Sequence, residues 1–221
     1  MVYRISPTRV KLMLDCPRCF WLEVVRGIKR PESIFPSLPS GMDRVLKAHF
    51  DRFREKNQLP PELAKEETNA ALFKDRDLLD AWRSAYRGVQ WTDPETGIMF
   101  MGAVDEILEK EGKLIVLDYK TRGYALKENT ASLYQEQLDI YTLLLQKNNY
   151  STEEYAYLLF YIPKEVKEDG NFIFDAHLVK MKVNVENGAR LLKQAADLVL
   201  NPTPPGPSER CFYCNLGWAS S

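Results

Sequence analysis

The sequence predicts an α/β fold, a mixed sheet flanked by helices. Strand-like apolar runs at 98–108, 114–119, 155–162 and 172–182 are interspersed with stretches at 41–56, 131–146 and 185–199 whose apolar residues recur at the helical period. The order is helices, a small sheet, a helix, more sheet and a last helix, which suits helices layered on a sheet. With 221 residues, 45% of them hydrophobic and 11% aromatic, the chain has material for a substantial core.

Residues 7–26 read as a helix starting near Ser6-Pro7. It should break or kink around the cysteines, because Pro17 has no amide to donate and clashes inside a helix. Residues 28–39 hold three prolines and read as loop. In the helix over 41–56, Met42, Val45, Leu46, His49, Phe50 and Phe53 mark one face. A second helical stretch covers 62–87, interrupted near Lys74-Asp75. Residues 89–100 give a strand, a turn at 93–97 and the start of a hairpin. A polar loop at 121–129 precedes the helix at 131–146. Strands at 155–162 and 172–182 follow, and then a helix marked by Val185, Ala189, Leu192, Ala196 and Val199. The proline-rich run 201–207 stops that helix and leads to Cys211-Phe-Tyr-Cys214. The chain has no internal repeat and no low-complexity tract.

The hairpin carries the most chemistry. A two-residue turn at Glu111-Gly112 sets Lys110 opposite Lys113, and therefore Asp105 opposite Asp118, with Cβ atoms roughly 5 Å apart on one face. Lys120, two residues on, points to the same face. Like charges directly opposite each other destabilise a strand pair unless a cation lies between them. Two carboxylates with open positions suit Mg²⁺, which keeps room for water and phosphate oxygens. A lysine beside such an ion can orient or deprotonate a water, or neutralise charge building on phosphorus. Gln137 and Tyr141, four apart, share a helix face with the packing neighbours Leu133, Leu144 and Leu145. A buried glutamine needs a partner, at the metal-site edge or on a substrate phosphate. His49, turned toward the core, is a candidate nitrogen ligand for Mn²⁺; His177 has no such support.

Cys16-x-x-Cys19 and Cys211-x-x-Cys214 form a second constellation. Two such pairs fit a four-thiolate site, either tetrahedral Zn²⁺ or an iron–sulfur cluster, joining the ends of the chain. Arg122, Tyr124 and Lys127 in the loop after Lys120, with Arg18, Arg26, Lys29 and Arg30, suit a track for single-stranded DNA, with bases stacking and phosphates held. Thirty basic and thirty-one acidic residues give a net charge of −1, so any nucleic acid must be held by a local patch rather than a global field. No stretch approaches the ~20 apolar residues of a membrane span, and the N-terminus lacks a signal core. A cytoplasmic protein is the expectation, and in that compartment cysteines serve as metal ligands or free thiols rather than disulfides.

Together these residues resemble the PD-(D/E)xK nuclease superfamily, and within it the RecB-like exonucleases, including the CRISPR-associated, Cas4-like members. Gly102-x-x-Asp105 resembles the family's G-x-x-D motif, Asp118-Tyr-Lys120 its (D/E)-x-K, and Gln137-x-x-x-Tyr141 its Q-x-x-x-Y. Cys16-Pro-Arg resembles the C-P-R of members that bind a [4Fe–4S] cluster. The resemblance implies a restriction-endonuclease-like core and one nuclease domain over 1–221: a helical part at 1–90, the core at 91–200, and a linker with cysteine tail at 201–221. It implies Mg²⁺ or Mn²⁺ on Asp105 and Asp118, water activation by Lys120, and support from Gln137 and Tyr141. The family's upstream histidine maps to His49, although Gly41 lies eight residues before it rather than a few. Cluster-bearing relatives have one cysteine upstream and three downstream. This chain has two and two, so zinc stays open beside the favoured cluster. The implied activity is metal-dependent exonuclease action on single-stranded DNA or DNA ends, with CRISPR adaptation or recombination proteins as partners. The rival is a non-catalytic DNA-end-binding or structural module of the same fold.

Overall fold

A computed structural model describes residues 2–31 and 37–215. Strand β1 (Arg4–Ile5) leads into α1 (Pro7–Asp15), whose cap Ser6 accepts the Arg9 amide at 3.4 Å. The helix breaks at the extended Cys16 and restarts as α2 (Pro17–Arg26). Pro17 thus takes a first-turn position, where its missing amide costs nothing. Helix α3 (Ser37–Arg54) starts earlier than residue 41, with Pro39 tolerated in its first turn. Of the predicted 28–39 loop, residues 32–36 lie outside the described residues.

The predicted helical stretch over 62–87 is corrected. It holds the short α4 (Pro61–Ala64), an edge strand β2 (Ala71–Leu72) and α5 (Arg76–Trp82). Glu67 and Asn69 adopt φ of 45° and 50°, which a right-handed helix cannot continue. Strands β3 (Val89–Thr92) and β4 (Met99–Gly102) then form a three-stranded sheet in the order β1-β4-β3.

The expectation of one strand over 98–108 is also corrected. After β4 the chain leaves its ladder, and the Val104 amide bonds the Trp82 carbonyl at 3.1 Å. It re-enters a different sheet as β5 (Glu106–Lys110). Glu111 and Gly112, at φ 50° and 77°, turn it into β6 (Lys113–Thr121) with Lys110 opposite Lys113, the predicted register. A 3₁₀ turn (Ala131–Tyr134) and α6 (Gln135–Lys147) cross over to β7 (Tyr155–Val166), which pairs parallel with β6. Strand β8 (Phe172–Lys182) returns antiparallel, completing a sheet of order β2-β5-β6-β7-β8.

Helix α7 (Val185–Leu200) packs on α6, where a Cβ at Gly188 would stand 2.9 Å from the Asp139 carbonyl. Buried Asp139 pins the junction by accepting from Gln135, the Asn184 amide and Asn187. The short α8 (Phe212–Asn215) ends the described chain.

Strand β6 divides the core by its alternation. Leu114 and Val116 join the cluster that includes Leu138, Leu144 and Leu145 of α6. Ile115, Leu117 and Tyr119 join Leu46 and Phe50 of α3. Asp118 therefore continues the α6-facing row at the C-terminal end of β6. No described helix is long and apolar enough to cross a membrane.

Candidate active site and cysteine cluster

Asp118 is 1% exposed. Its Oδ1 accepts from the Gln137 side-chain amide at 3.1 Å, and the same amide donates to the Tyr141 hydroxyl at 2.9 Å. Lys120 Nζ reaches Gln137 Oε1 at 3.3 Å, contacts Asp118 Oδ2, and lies 4.6 Å from the centre of the Tyr134 ring. The Asp118 Oδ2 contact is a close ion pair inside the buried site. Gly102 completes the frame. A Cβ there would stand 2.5 Å from the Tyr141 ring, so the first position of the Gly102-x-x-Asp105 segment must be small. Leu144 and Leu145 are buried on α6, but Leu133 is 57% exposed, because it belongs to the 3₁₀ turn rather than to the helix.

Asp105 lies one step past the last ladder pair, Glu106 with Leu117, and its Oδ2 accepts the Tyr119 amide at 2.9 Å. Its Oδ1 is 3.4 Å from Lys47 Nζ, which also pairs with Asp43 at 2.8 Å. Burial pushes the Asp118 carboxyl up to about 7; the Asp105 charge adds to the rise and Lys120 opposes it. Burial also raises Asp105, against the pull of Lys47. Tyr141 is raised by burial and then by the two carboxylates, which keeps its hydroxyl protonated.

The structure does not bring His49 to this pair. Its Nε2 lies 3.1 Å from Glu62, its ring meets Phe53 edge-on, and among the described residues no histidine joins Asp105 and Asp118 in a compact ligand group. Lys47 faces Asp105, and His49 is about 200° further round the helix. Asp43 and Lys47 were missed in the sequence because an i, i+4 pair of opposite charge reads as a solvated helix surface.

Glu106, adjacent to Asp105, was missed as well. Its side chain is wholly buried and accepts from Arg54 at 2.6 Å, Arg83 at 2.8 Å and the Tyr119 hydroxyl at 3.3 Å. Arg83 also donates to Asp51 at 2.9 Å and, through Nε, to the Asp105 carbonyl at 2.9 Å. The network thereby ties the backbone of the Asp105 segment to α3 and α5.

The PD-(D/E)XK nuclease superfamily model matches residues 4–219. The chain belongs to this superfamily. The nuclease-family chain is also similar to two crystal structures. One is SSO0001, at 16% identity and TM-score 0.44 over 91% of this chain and 78% of that one. The other is a "Putative exonuclease" from Eubacterium rectale, at 14% identity and TM-score 0.49 over 97% and 88%. No curated protein matches.

The second constellation of this nuclease-family chain closes as the spacing of its cysteines suggests. The four sulfurs of Cys16, Cys19, Cys211 and Cys214 all lie within 4.8 Å of one another, and none forms a disulfide. Such a donor set can hold a metal ion. Burial opposes ionisation of Cys211, but the Cys214 amide and the neighbouring sulfurs outweigh it and bring the thiol down to about 7.

In the loop after β6, the Arg122 amide bonds Tyr161, while its Nε is buried without a hydrogen-bond partner. Tyr124 is 83% exposed and Lys127 is exposed. Beside Tyr141 and Gly102 opens a cavity of about 320 Å³, lined also by Arg4, Ser6, Thr8 and Arg9.

Proposed function

We propose that this chain is a metal-dependent DNA exonuclease acting on single strands or ends. The observation that carries the reading is Asp118: a buried carboxylate whose carboxyl is pushed up by burial and by the charge of a second carboxylate, Asp105. A fold keeps such a charge pair at a cost, and a bound cation offsets that cost. Asp105 and Asp118 fit Mg²⁺ or Mn²⁺, which when bound supplies Lewis acidity at the scissile phosphate.

The remaining steps belong to the side chains. Lys120 sits against a carboxylate and an amide oxygen. It orients the attacking water and neutralises charge developing on the phosphoryl oxygens. Gln137 bridges Lys120 and Asp118, and Tyr141 anchors Gln137. Arg122 takes a flanking phosphate; exposed Tyr124 offers a base-stacking face and Lys127 a second positive charge. The Arg4 and Arg9 cavity beside Tyr141 has room for the strand end.

The test is degradation of end-labelled linear single-stranded DNA, against a covalently closed circle, with Mn²⁺ present. Wild type should shorten the linear strand only, and Lys120→Ala should lose the activity while its circular dichroism spectrum at 25 °C stays that of the folded protein. Binding without cleavage by wild type would instead make the chain a DNA-end-binding module.

A further inference from the structure

We infer that the four cysteines hold a single tetrahedral Zn²⁺ ion as a tetrathiolate, not a [4Fe–4S] cluster. The decisive quantity is how closely the sulfurs approach. Cys16 and Cys214 are 3.8 Å apart, Cys19 and Cys211 3.6 Å, and Cys19 and Cys214 3.5 Å. Four thiolates at about 2.3 Å from one zinc ion occupy a tetrahedron whose edges are about 3.8 Å. In a four-iron cluster each thiolate caps a different iron at an outer corner of the cube, so the sulfurs must stand much further apart. An envelope in which every pair lies within 4.8 Å has room for one ion and none for four irons with their bridging sulfides.

Neighbouring groups match the same reading. A zinc tetrathiolate carries two net negative charges and needs compensation. Arg30 Nη2 donates to Cys211 Sγ at 3.4 Å, and the guanidinium is held by Asp15 at 2.5 Å and lies 4.7 Å from the Tyr213 ring centre. The Ser208 amide donates to Cys16 Sγ at 3.4 Å. The even division also fits, because each i, i+3 pair presents two sulfurs from one turn, at Cys16 before Pro17 of α2 and at Cys211 before α8. The ion thus clasps the first helices to the tail, and the clasp has no redox chemistry of its own.

The full chain, purified anaerobically from cells supplied with both iron and zinc, provides the test. One zinc per chain in a colourless protein without acid-labile sulfide is expected. Metal-free protein titrated with Co²⁺ should develop the visible bands and thiolate charge transfer of a tetrahedral four-sulfur site, and Zn²⁺ should abolish them. A brown protein with iron and sulfide in cluster stoichiometry overturns the inference, as does Co²⁺ that yields no tetrahedral spectrum. Both readouts are independent of DNA cleavage, so failure here and failure of the nuclease reading appear in separate measurements.

Discussion

Asp105 and Glu106 are consecutive, yet they meet opposite fates. Glu106 faces α3, where two guanidiniums neutralise it and a phenol donates to it, with Asp51 balancing the second positive charge. Asp105 faces the other way, toward Asp118, and there its charge adds to the rise of the Asp118 carboxyl. One buried network is closed and structural; the other is open and invites a cation. The contrast shows that burial of charge does not identify a site. What identifies it is burial beside a like charge, which perturbs the carboxyl.

Neutral substitutions on the two faces should therefore act in opposite directions. Asp118→Asn should abolish metal-dependent cleavage, a loss of about 10²–10⁴-fold or more in rate, while raising the melting temperature of the metal-free protein by a few degrees. A fall in stability instead would mean that the carboxylate pair is already satisfied. Glu106→Gln should do the reverse to the fold. It leaves Arg54 and Arg83 short of their counter-charge, and urea unfolding should show a loss of about 3–5 kcal/mol. If Glu106→Gln were as stable as wild type, the closed network would not be the clamp described above.

The pH response should sharpen the difference. The Asp118 value of about 7 in the folded protein lies above the ordinary carboxylate value, so the folded metal-free protein binds this proton more tightly than the unfolded chain. Its stability should fall as pH rises from about 4 to about 7, and saturating Mg²⁺ should restore it at the upper end. Thermal melts at several pH values read this directly. Asp118→Asn should flatten the metal-free profile, and an unchanged slope in that variant would assign the titration elsewhere.

The smallest effect concerns the frame. Gly102→Ala sets a methyl against the Tyr141 ring and should cost about 1–3 kcal/mol, with cleavage reduced because Gln137 loses its anchor. The double variant with Tyr141→Ala should recover stability but not activity. A cycle that is simply additive would show that ring and glycine do not meet.

Much of this site was legible in the sequence because it rests on short spacings. The Glu111-Gly112 turn dictates the hairpin register, and Asp105, one step beyond the ladder, lies near enough for its charge to raise Asp118. A four-residue step puts Gln137 and Tyr141 on one helix face, and an i, i+3 step pairs the sulfurs within each cysteine turn. These follow from local geometry, which is the same in every chain.

Only the tertiary structure decided which distant groups answer those charges. Lys47 and Asp43 rather than His49 face the carboxylates, because the rotation of α3 about its own axis depends on how Phe50 and Leu46 pack beneath the sheet. Glu106 finds Arg54 and Arg83 fifty-two and twenty-three residues away. The strand expected over 98–108 splits between two sheets because the Val104 amide is claimed by Trp82. The cysteine pairs close to zinc-sized distances only when α1, α2 and the tail dock. Each of these depends on packing between segments far apart in the chain, and neither residue periodicity nor motif spacing encodes such distances.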